Sequence, residues 1–134
     1  MLKRLEPSSI HPPFARYVHG MLVPAGAATV FCSGQLGIGR DGVVPDGVEA
    51  QTALCFEAIA AILAQAGLNL SDLVRLNAYV TGREHLPGYM AGRDRCVPSP
   101  PPASTLMIVS GFARPEFVVE VEAIAARADA SLQA

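Results

Sequence analysis

The segment PSPPPASTLMIVSGFARPEFVVEVEAIAA, residues 98–126, decides how this chain is expected to fold. It opens with prolines at positions 98, 100, 101 and 102. Because proline fixes φ and donates no backbone hydrogen bond, this lead-in is predicted to be extended and non-helical. Two strands are predicted to follow, at residues 105–109 and 117–124, and the Gly and Pro residues in 110–115 predict a hairpin-like connection between them.

The second of these strands carries two carboxylates at strand spacing. Glu120 and Glu122 are two residues apart, so a strand places both on one face, with Val119, Val121 and Ala123 on the other. A carboxylate within hydrogen-bond reach of a water molecule can act as a general base. From the residues alone, Glu120 is a candidate for that role, and a solvated or ion-paired strand carboxylate is the open alternative.

The upstream half of the chain supplies two further strands and a loop. Residues 1–13 show no periodic pattern and are expected to be irregular. Residues 16–23 and 29–35 are predicted to be strands that form an antiparallel hairpin around Pro24-Ala25-Gly26. The glycine-rich loop 37–47 contains a G-x-G-x-x-G match, but Val-Val-Pro-Asp-Gly follows it where a dinucleotide site needs a helix N-terminus, so the match is interpreted as accidental.

Two helices and a strand complete the order of elements. Residues 48–66 form an apolar stripe at helical spacing that ends at Gly67. Residues 73–81 alternate as a strand, and a second helix is expected over about 84–97. The order β-β-α-β-α-β-β predicts an α+β fold with both helices on one face of a single sheet. The other face mixes apolar and polar groups, which favours a closed homo-oligomer.

Composition limits the function classes. A chain of 134 residues with 51% hydrophobic composition suits one domain, residues 1–134. A formal charge of −2, with Lys3 as the only lysine, argues against nucleic-acid binding. Cys32, Cys55 and Cys96 are dispersed without metal-ligand spacing, so no metal site is expected. The absence of a signal-peptide pattern and of long apolar runs predicts a cytoplasmic protein without membrane association.

The sequence resembles the Rid family, the reactive intermediate deaminases of YjgF type. The resemblance runs over nearly the whole chain, and its order and spacing are more specific than any single motif. Its parts are Arg16-Tyr17-Val18-His19-Gly20, Cys32-Ser33-Gly34-Gln35-Leu36-Gly37, Gly47-Val48-Glu49-Ala50-Gln51-Thr52, Leu76-Asn77-Ala78-Tyr79-Val80-Thr81, the proline-rich residues 100–103 and the closing residues 119–125.

The resemblance implies a chorismate-mutase-like fold and a homotrimer with a ligand cleft between neighbouring subunits. It also implies cofactor-free hydrolysis of enamine and imine products of amino-acid dehydratases, with a small carboxylate as ligand. Carried over residue by residue, the glutamate that positions water matches Glu120. The tyrosine and the Ser-Gly pair that line the cleft match Tyr17, Ser33 and Gly34.

One position departs from the family pattern. Where Rid deaminases carry an arginine after Pro-Ala to hold the substrate carboxylate, this chain has Ser104. A guanidinium makes a two-pronged charged contact, whereas a hydroxyl contributes a neutral bond of about 1 kcal/mol. The residues that could restore a cation are Arg75, Arg93, Arg95 and Arg114. We therefore expect weak or redirected deaminase activity, with a non-enzymatic protein that binds a metabolite or another protein as the alternative.

Overall fold

A computed structural model of the chain describes residues 1–128. Two helices and six strands, with short 3₁₀ turns before β4 and before α2, make up this part. In chain order they are β1 (Lys3–Leu5), β2 (Gly20–Leu22), β3 (Ala28–Leu36), α1 (Val48–Ala64), β4 (Leu73–Val80), α2 (Leu86–Cys96), β5 (Ala103–Ile108) and β6 (Val119–Arg127). None of the helices in residues 1–128 is long and apolar enough to cross a membrane.

The main sheet has four strands in the order β3-β6-β4-β5, and the two helices pack on one of its faces. Strands β4 and β5 run parallel, while β6 is antiparallel to both β3 and β4. We call the helix-covered side the inner face and the opposite side the outer face. The predicted α+β class with both helices on one sheet face is confirmed.

The predicted hairpin between the last two strands is wrong. β4 lies between β5 and β6, so the residues at 110–115 connect strands that are not neighbours. β5 pairs in parallel with β4, and α2 forms the crossover between these two strands. A parallel pair needs such a long connection, whereas the Gly and Pro residues report only a local change of direction.

The N-terminal region also differs from the expectation. Residues 3–5, predicted to be irregular, form β1, and the strand expected at 16–23 is limited to Gly20–Leu22. β2 pairs with β1 in a separate two-stranded sheet and does not form a hairpin with β3. A strand of three residues is too short to show an alternation in the sequence, so its pairing depends on tertiary contacts.

Helix α1 follows the predicted stripe closely. Cys55, Phe56, Ile59 and Leu63 are buried against the sheet. Gly67 has φ of 75°, and the next amide, that of Leu68, donates to the Leu63 carbonyl at 3.0 Å. This is the helix-terminating arrangement for which glycine is favoured.

A buried glutamine fixes the loops at one end of the sheet. Gln51, 1% exposed on α1, donates through Nε2 to the carbonyls of Pro45 and Glu116 at 3.0 and 2.9 Å. Its Oε1 accepts from the Val118 amide at 3.0 Å. A Cβ on Gly37 would lie 2.3 Å from the Gln51 Cβ, so glycine is required there for close packing. The glycine-rich loop thus packs onto α1 through this contact.

Candidate functional site

The outer face of the sheet is formed by three rows of residues, each crossing β6, β4 and β5. The strand register sets the rows, because paired residues on neighbouring strands project to the same side. The rows are Ile124-Arg75-Ala103, Glu122-Asn77-Thr105 and Glu120-Tyr79-Met107. Both carboxylates of β6 therefore lie on this face, as predicted from their spacing.

Polar side chains on this face form a continuous hydrogen-bonded chain, which we call the outer-face network. Arg75 donates through Nη2 to the Thr105 hydroxyl at 2.6 Å and through Nε to Asn77 Oδ1 at 3.1 Å. Asn77 Nδ2 and the Tyr79 hydroxyl both donate to Glu122 Oε1, at 3.1 and 2.8 Å. Because a carboxylate with two donors is well stabilised, Glu122 is held in one orientation.

Glu120 lies in a different environment from Glu122. Burial raises the pKa of the Glu120 carboxyl above its ordinary value, and the charge of Glu122 raises it further. A Cβ on Gly34 would stand 2.7 Å from Glu120 Cδ, so the carboxyl packs against bare backbone. The strand is irregular at this point, since the register of β3 against β6 shifts between Cys32 and Gln35. Gly34 and Glu120 are therefore neighbours in the fold.

A cavity of about 300 Å³ opens on the outer face next to this irregularity. Its polar lining includes Ser33, Asn77 and Glu122, and its apolar lining includes Phe31 and Ile124. Ser33 is exposed, so its hydroxyl is available to a ligand. Glu120 is not among the lining residues, so this cavity brings the predicted Ser33 together with Glu122.

A second cavity, of about 350 Å³, adjoins the first. It lies between the segment around β2 and the outer face and shares Phe31 and Ile124 with the first cavity. Arg75, Ala103 and His19 contribute to its walls. The two cavities therefore form a pair, with a carboxylate in one and a guanidinium in the other.

Ser104 lies on the other side of the sheet from the carboxylates. Its register partner on β4 is Leu76, which is 0% exposed in the core beneath the helices. Paired residues project to the same side, so Ser104 belongs to the inner face at the sheet edge, where it is half-buried. Ser104 and Glu120 of the same chain therefore lie on opposite faces of the sheet.

Tyr17 lies at the end of the sheet where β5 begins. The neighbouring Val18 forms a parallel bridge with Ala103, and its amide donates to the Pro102 carbonyl at 3.1 Å. The Tyr17 hydroxyl accepts from the Phe14 amide at 3.3 Å, and its ring meets that of His19 edge to face. Tyr17 therefore borders the region of Ser104 and is not one of the residues lining the two outer-face cavities.

The residues missed by the sequence reasoning are the partners of Glu122. The alternation in β4 correctly places Arg75, Asn77 and Tyr79 together on one face of that strand. It does not reveal that β6 is the neighbour of β4, and only that adjacency brings these side chains to Glu122. A useful signal was available, because three consecutive outward positions of β4 are all polar and all able to donate hydrogen bonds.

The cysteines contribute no nucleophile or metal site within the described residues. Cys32 and Cys55 are buried and Cys96 is half-buried, and all three are free. Burial, followed by the charge of Glu120, raises the pKa of Cys55 to about 12, so the thiolate is disfavoured. No group of three or more His, Cys, Asp or Glu residues suited to a metal ion occurs in residues 1–128.

The fold and the outer face define a class: a small α+β protein with two adjoining cavities, each walled by apolar and polar side chains, on the uncovered side of its sheet. Residues 8–127 match the model of the family described as Endoribonuclease L-PSP. The chain belongs to that family, and its structural neighbours include proteins named as Rid and YjgF members, which confirms the resemblance drawn from the sequence.

Two solved structures illustrate the likeness. The Rid-family protein YyfB from Yersinia pestis is 26% identical, with a TM-score of 0.78 over 94% of this chain and 98% of that one. RidA from an Antarctic Psychrobacter is 27% identical, with a TM-score of 0.69 over 92% of this chain and 98% of that one. Both comparisons extend over nearly the full length of the neighbour.

A fission-yeast relative matches a shorter stretch. Protein mmf2, mitochondrial, from Schizosaccharomyces pombe is 33% identical over 76 residues, which are 57% of this chain and 60% of that protein. The chain thus matches less than two thirds of that relative's length. The name assigns that relative to mitochondria, so the cytoplasmic location expected for the present chain stays a prediction.

Proposed function

We propose that this protein is a cofactor-free, small-molecule-binding member of the Rid family that hydrolyses enamines or imines derived from amino acids, with activity weakened or redirected by Ser104. The observation that carries the proposal is the environment of Glu120. This carboxyl is half-buried on the outer face, packs against Gly34, and has a pKa raised by burial and by Glu122. A raised pKa brings a carboxylate closer to the value at which a general base works best near neutral pH.

The chemistry requires only water and a base. Glu120 would accept a proton from a water molecule while the water oxygen bonds to the carbon of the protonated imine, whose nitrogen becomes a neutral amine. Glu120 would then return the proton to that nitrogen. The carbon–nitrogen bond breaks as the new hydroxyl group gives up its proton to the departing ammonia, so ammonium is released and a 2-oxo acid remains. Glu122, which accepts hydrogen bonds from Asn77 and Tyr79, lies beside Glu120, and its charge contributes to the raised pKa of Glu120.

A homotrimer with clefts between subunits accounts for the placement of the predicted residues. Ser104 and Tyr17 lie near one edge of the sheet, whereas Glu120 and Gly34 lie on its outer face. A cleft shared by two copies can combine these two groups, as the family resemblance implies. The outer face also leaves Phe31 74% exposed and Met107 54% exposed, which is apolar surface that a second copy would cover.

The direct test is turnover of freshly generated 2-iminobutanoate by the purified chain. We expect slow but measurable release of ammonia that is lost in Glu120→Gln and retained in Glu57→Gln, an exposed carboxylate on α1. Turnover equal to that of family members with the arginine would contradict the weakened activity. Equal turnover by Glu120→Gln would contradict the role of Glu120.

The second candidate, a non-enzymatic metabolite-binding protein, is favoured by the same Ser104. A chain that lacks the charged contact for a substrate carboxylate can keep a cavity without the positioning that catalysis needs. The variant Ser104→Arg separates the two candidates. A gain in turnover of about tenfold or more, the effect of one charge-assisted hydrogen bond, would support a competent hydrolytic site. No turnover in either protein would favour the binding function.

A further inference from the structure

We infer that Arg75 is the carboxylate-binding residue of this chain, and that it holds a small monocarboxylate in the cavity between the β2 segment and the outer face. This inference rests on the proposed function for the nature of the ligand, and on the structure for the site. Arg75 supplies, on the outer face, the cation that the chain lacks at position 104 on the inner face.

The charge of Arg75 has no ionic partner in the described part of the chain. Its two hydrogen bonds go to the neutral oxygens of Asn77 and Thr105. Other arginines proposed as replacements are already engaged with acids: Arg93 with Asp94, Arg95 with Glu49 and Arg114 with Glu116. A guanidinium has five N–H donors, so three donors of Arg75 remain for a ligand.

The position of Arg75 is fixed, which favours binding. The Thr105 hydroxyl and the Asn77 side-chain oxygen hold the guanidinium from two sides, at 2.6 and 3.1 Å. A partly buried guanidinium that is already oriented loses little side-chain entropy when it donates two hydrogen bonds to a carboxylate. Thr105, which accepts a hydrogen bond from Arg75, directly follows Ser104 in β5. The guanidinium is therefore anchored next to the position at which this chain departs from the family pattern.

The surrounding cavity sets the shape and polarity of the ligand. Phe31 and Ile124 provide apolar walls shared with the neighbouring cavity. Glu122 and Glu120 lie farther along β6 and would repel a second negative charge on the ligand. We therefore place the single carboxylate of the ligand at Arg75 and its short carbon chain against Phe31. His19, whose Nε2 donates to the His11 carbonyl at 2.8 Å, also contributes to the wall of this cavity. These features select a monocarboxylate with a short apolar chain.

The test measures binding of 2-oxobutanoate to the full chain by isothermal titration calorimetry, with 2-butanone as the probe that lacks the carboxylate. We expect the wild type to bind 2-oxobutanoate and to bind 2-butanone at least about tenfold more weakly. Arg75→Gln should weaken 2-oxobutanoate binding by about tenfold to a hundredfold. The exposed Arg83→Gln is the matched control and should bind as the wild type does.

A wild type that binds no 2-oxobutanoate, or an Arg75→Gln variant with unchanged affinity, would overturn the inference. If Arg75→Gln does not fold, Arg75→Lys decides the matter, because lysine keeps the charge but loses the planar contact. Its affinity should fall measurably, and unchanged affinity would likewise overturn the inference. Carboxylate binding that depends on Arg75 without any imine turnover would leave this site standing and remove the proposed enzymatic activity.

Discussion

The inner and outer faces of the four-stranded sheet carry different kinds of side chain, although the same strands supply both. On β6, Val121 and Ala123 point inward and are at most 3% exposed, whereas Glu120 and Glu122 point outward and are half-buried. The inner face is stabilised by burial of apolar area. The outer face is organised by the outer-face network, whose bonds depend on which strands are neighbours.

The outer face itself contains a second contrast, between its two carboxylates. Glu122 accepts hydrogen bonds from Asn77 and Tyr79 and is fixed by them. Glu120 is destabilised as an anion by burial and by its neighbour. Of the two carboxylates, Glu120 is thus pushed toward its protonated form, and a carboxyl with a raised pKa beside a hydrogen-bonded polar network is typical of sites that transfer protons.

The largest expected effect is on the inner face. Leu76→Ala removes a side chain that is 0% exposed in the core and should lower the free energy of unfolding by about 2–5 kcal/mol, through lost burial and a residual cavity. Urea denaturation monitored by circular dichroism measures this loss. Met107→Ala on the outer face is the matched variant: a side chain exposed to solvent gives a change within about 0.5 kcal/mol, whereas the proposed homotrimer covers Met107 and predicts a larger loss. A large loss for Met107→Ala would show that another surface covers that face.

A smaller loss is expected from the buried amide that joins α1 to the loops. Gln51→Leu keeps a side chain of similar size but leaves the Pro45 carbonyl, the Glu116 carbonyl and the Val118 amide without their bonds. Pro45 and Val118 are half-buried and Glu116 is exposed, so water can replace part of these bonds. The variant should therefore be less stable by about 1–3 kcal/mol, the cost of one unsatisfied buried group, in the same denaturation experiment. Stability equal to that of the wild type would mean that water or loop movement replaces these bonds.

The outer-face network should contribute less. Tyr79→Phe removes the hydroxyl that donates to Glu122, and a single hydrogen bond of this kind contributes about 0.5–1.5 kcal/mol to stability. The same denaturation experiment measures the loss, and a double-mutant cycle with Glu122→Gln isolates the pair. Additive effects of the two substitutions would contradict the direct coupling between Tyr79 and Glu122.

The smallest effect is on the pH dependence of stability. The folded-state pKa of Glu120 is raised by burial first and by Glu122 second, so between its ordinary and its raised value the folded chain binds more protons than the unfolded chain. Stability should therefore fall as pH rises through this window and stay lower above it. Glu120→Gln should lack this part of the slope and be slightly more stable than the wild type at neutral pH. Glu57→Gln serves as the control, and identical slopes for Glu120→Gln and the wild type would contradict the raised pKa.

Local pattern determined much of this protein. The spacing of Glu120 and Glu122 placed both on one strand face, the stripe on α1 identified the buried side of that helix, and Gly67 marked its end. Each of these features depends on a repeat of two or about 3.6 residues, or on the φ freedom of glycine, and such properties are encoded by neighbouring residues. The family resemblance followed from the order of the same motifs.

Only the tertiary structure decided which strands are neighbours, and the candidate site depends on that choice. β6 inserts between β3 and β4, which brings Gly34 to Glu120 on one side and Asn77 and Tyr79 to Glu122 on the other. The register of β5 on β4 assigns Ser104 to the inner face and places Thr105 beside Arg75. These pairings join residues far apart in the chain through the packing of α1 and α2 on the sheet, and no local periodicity carries that information.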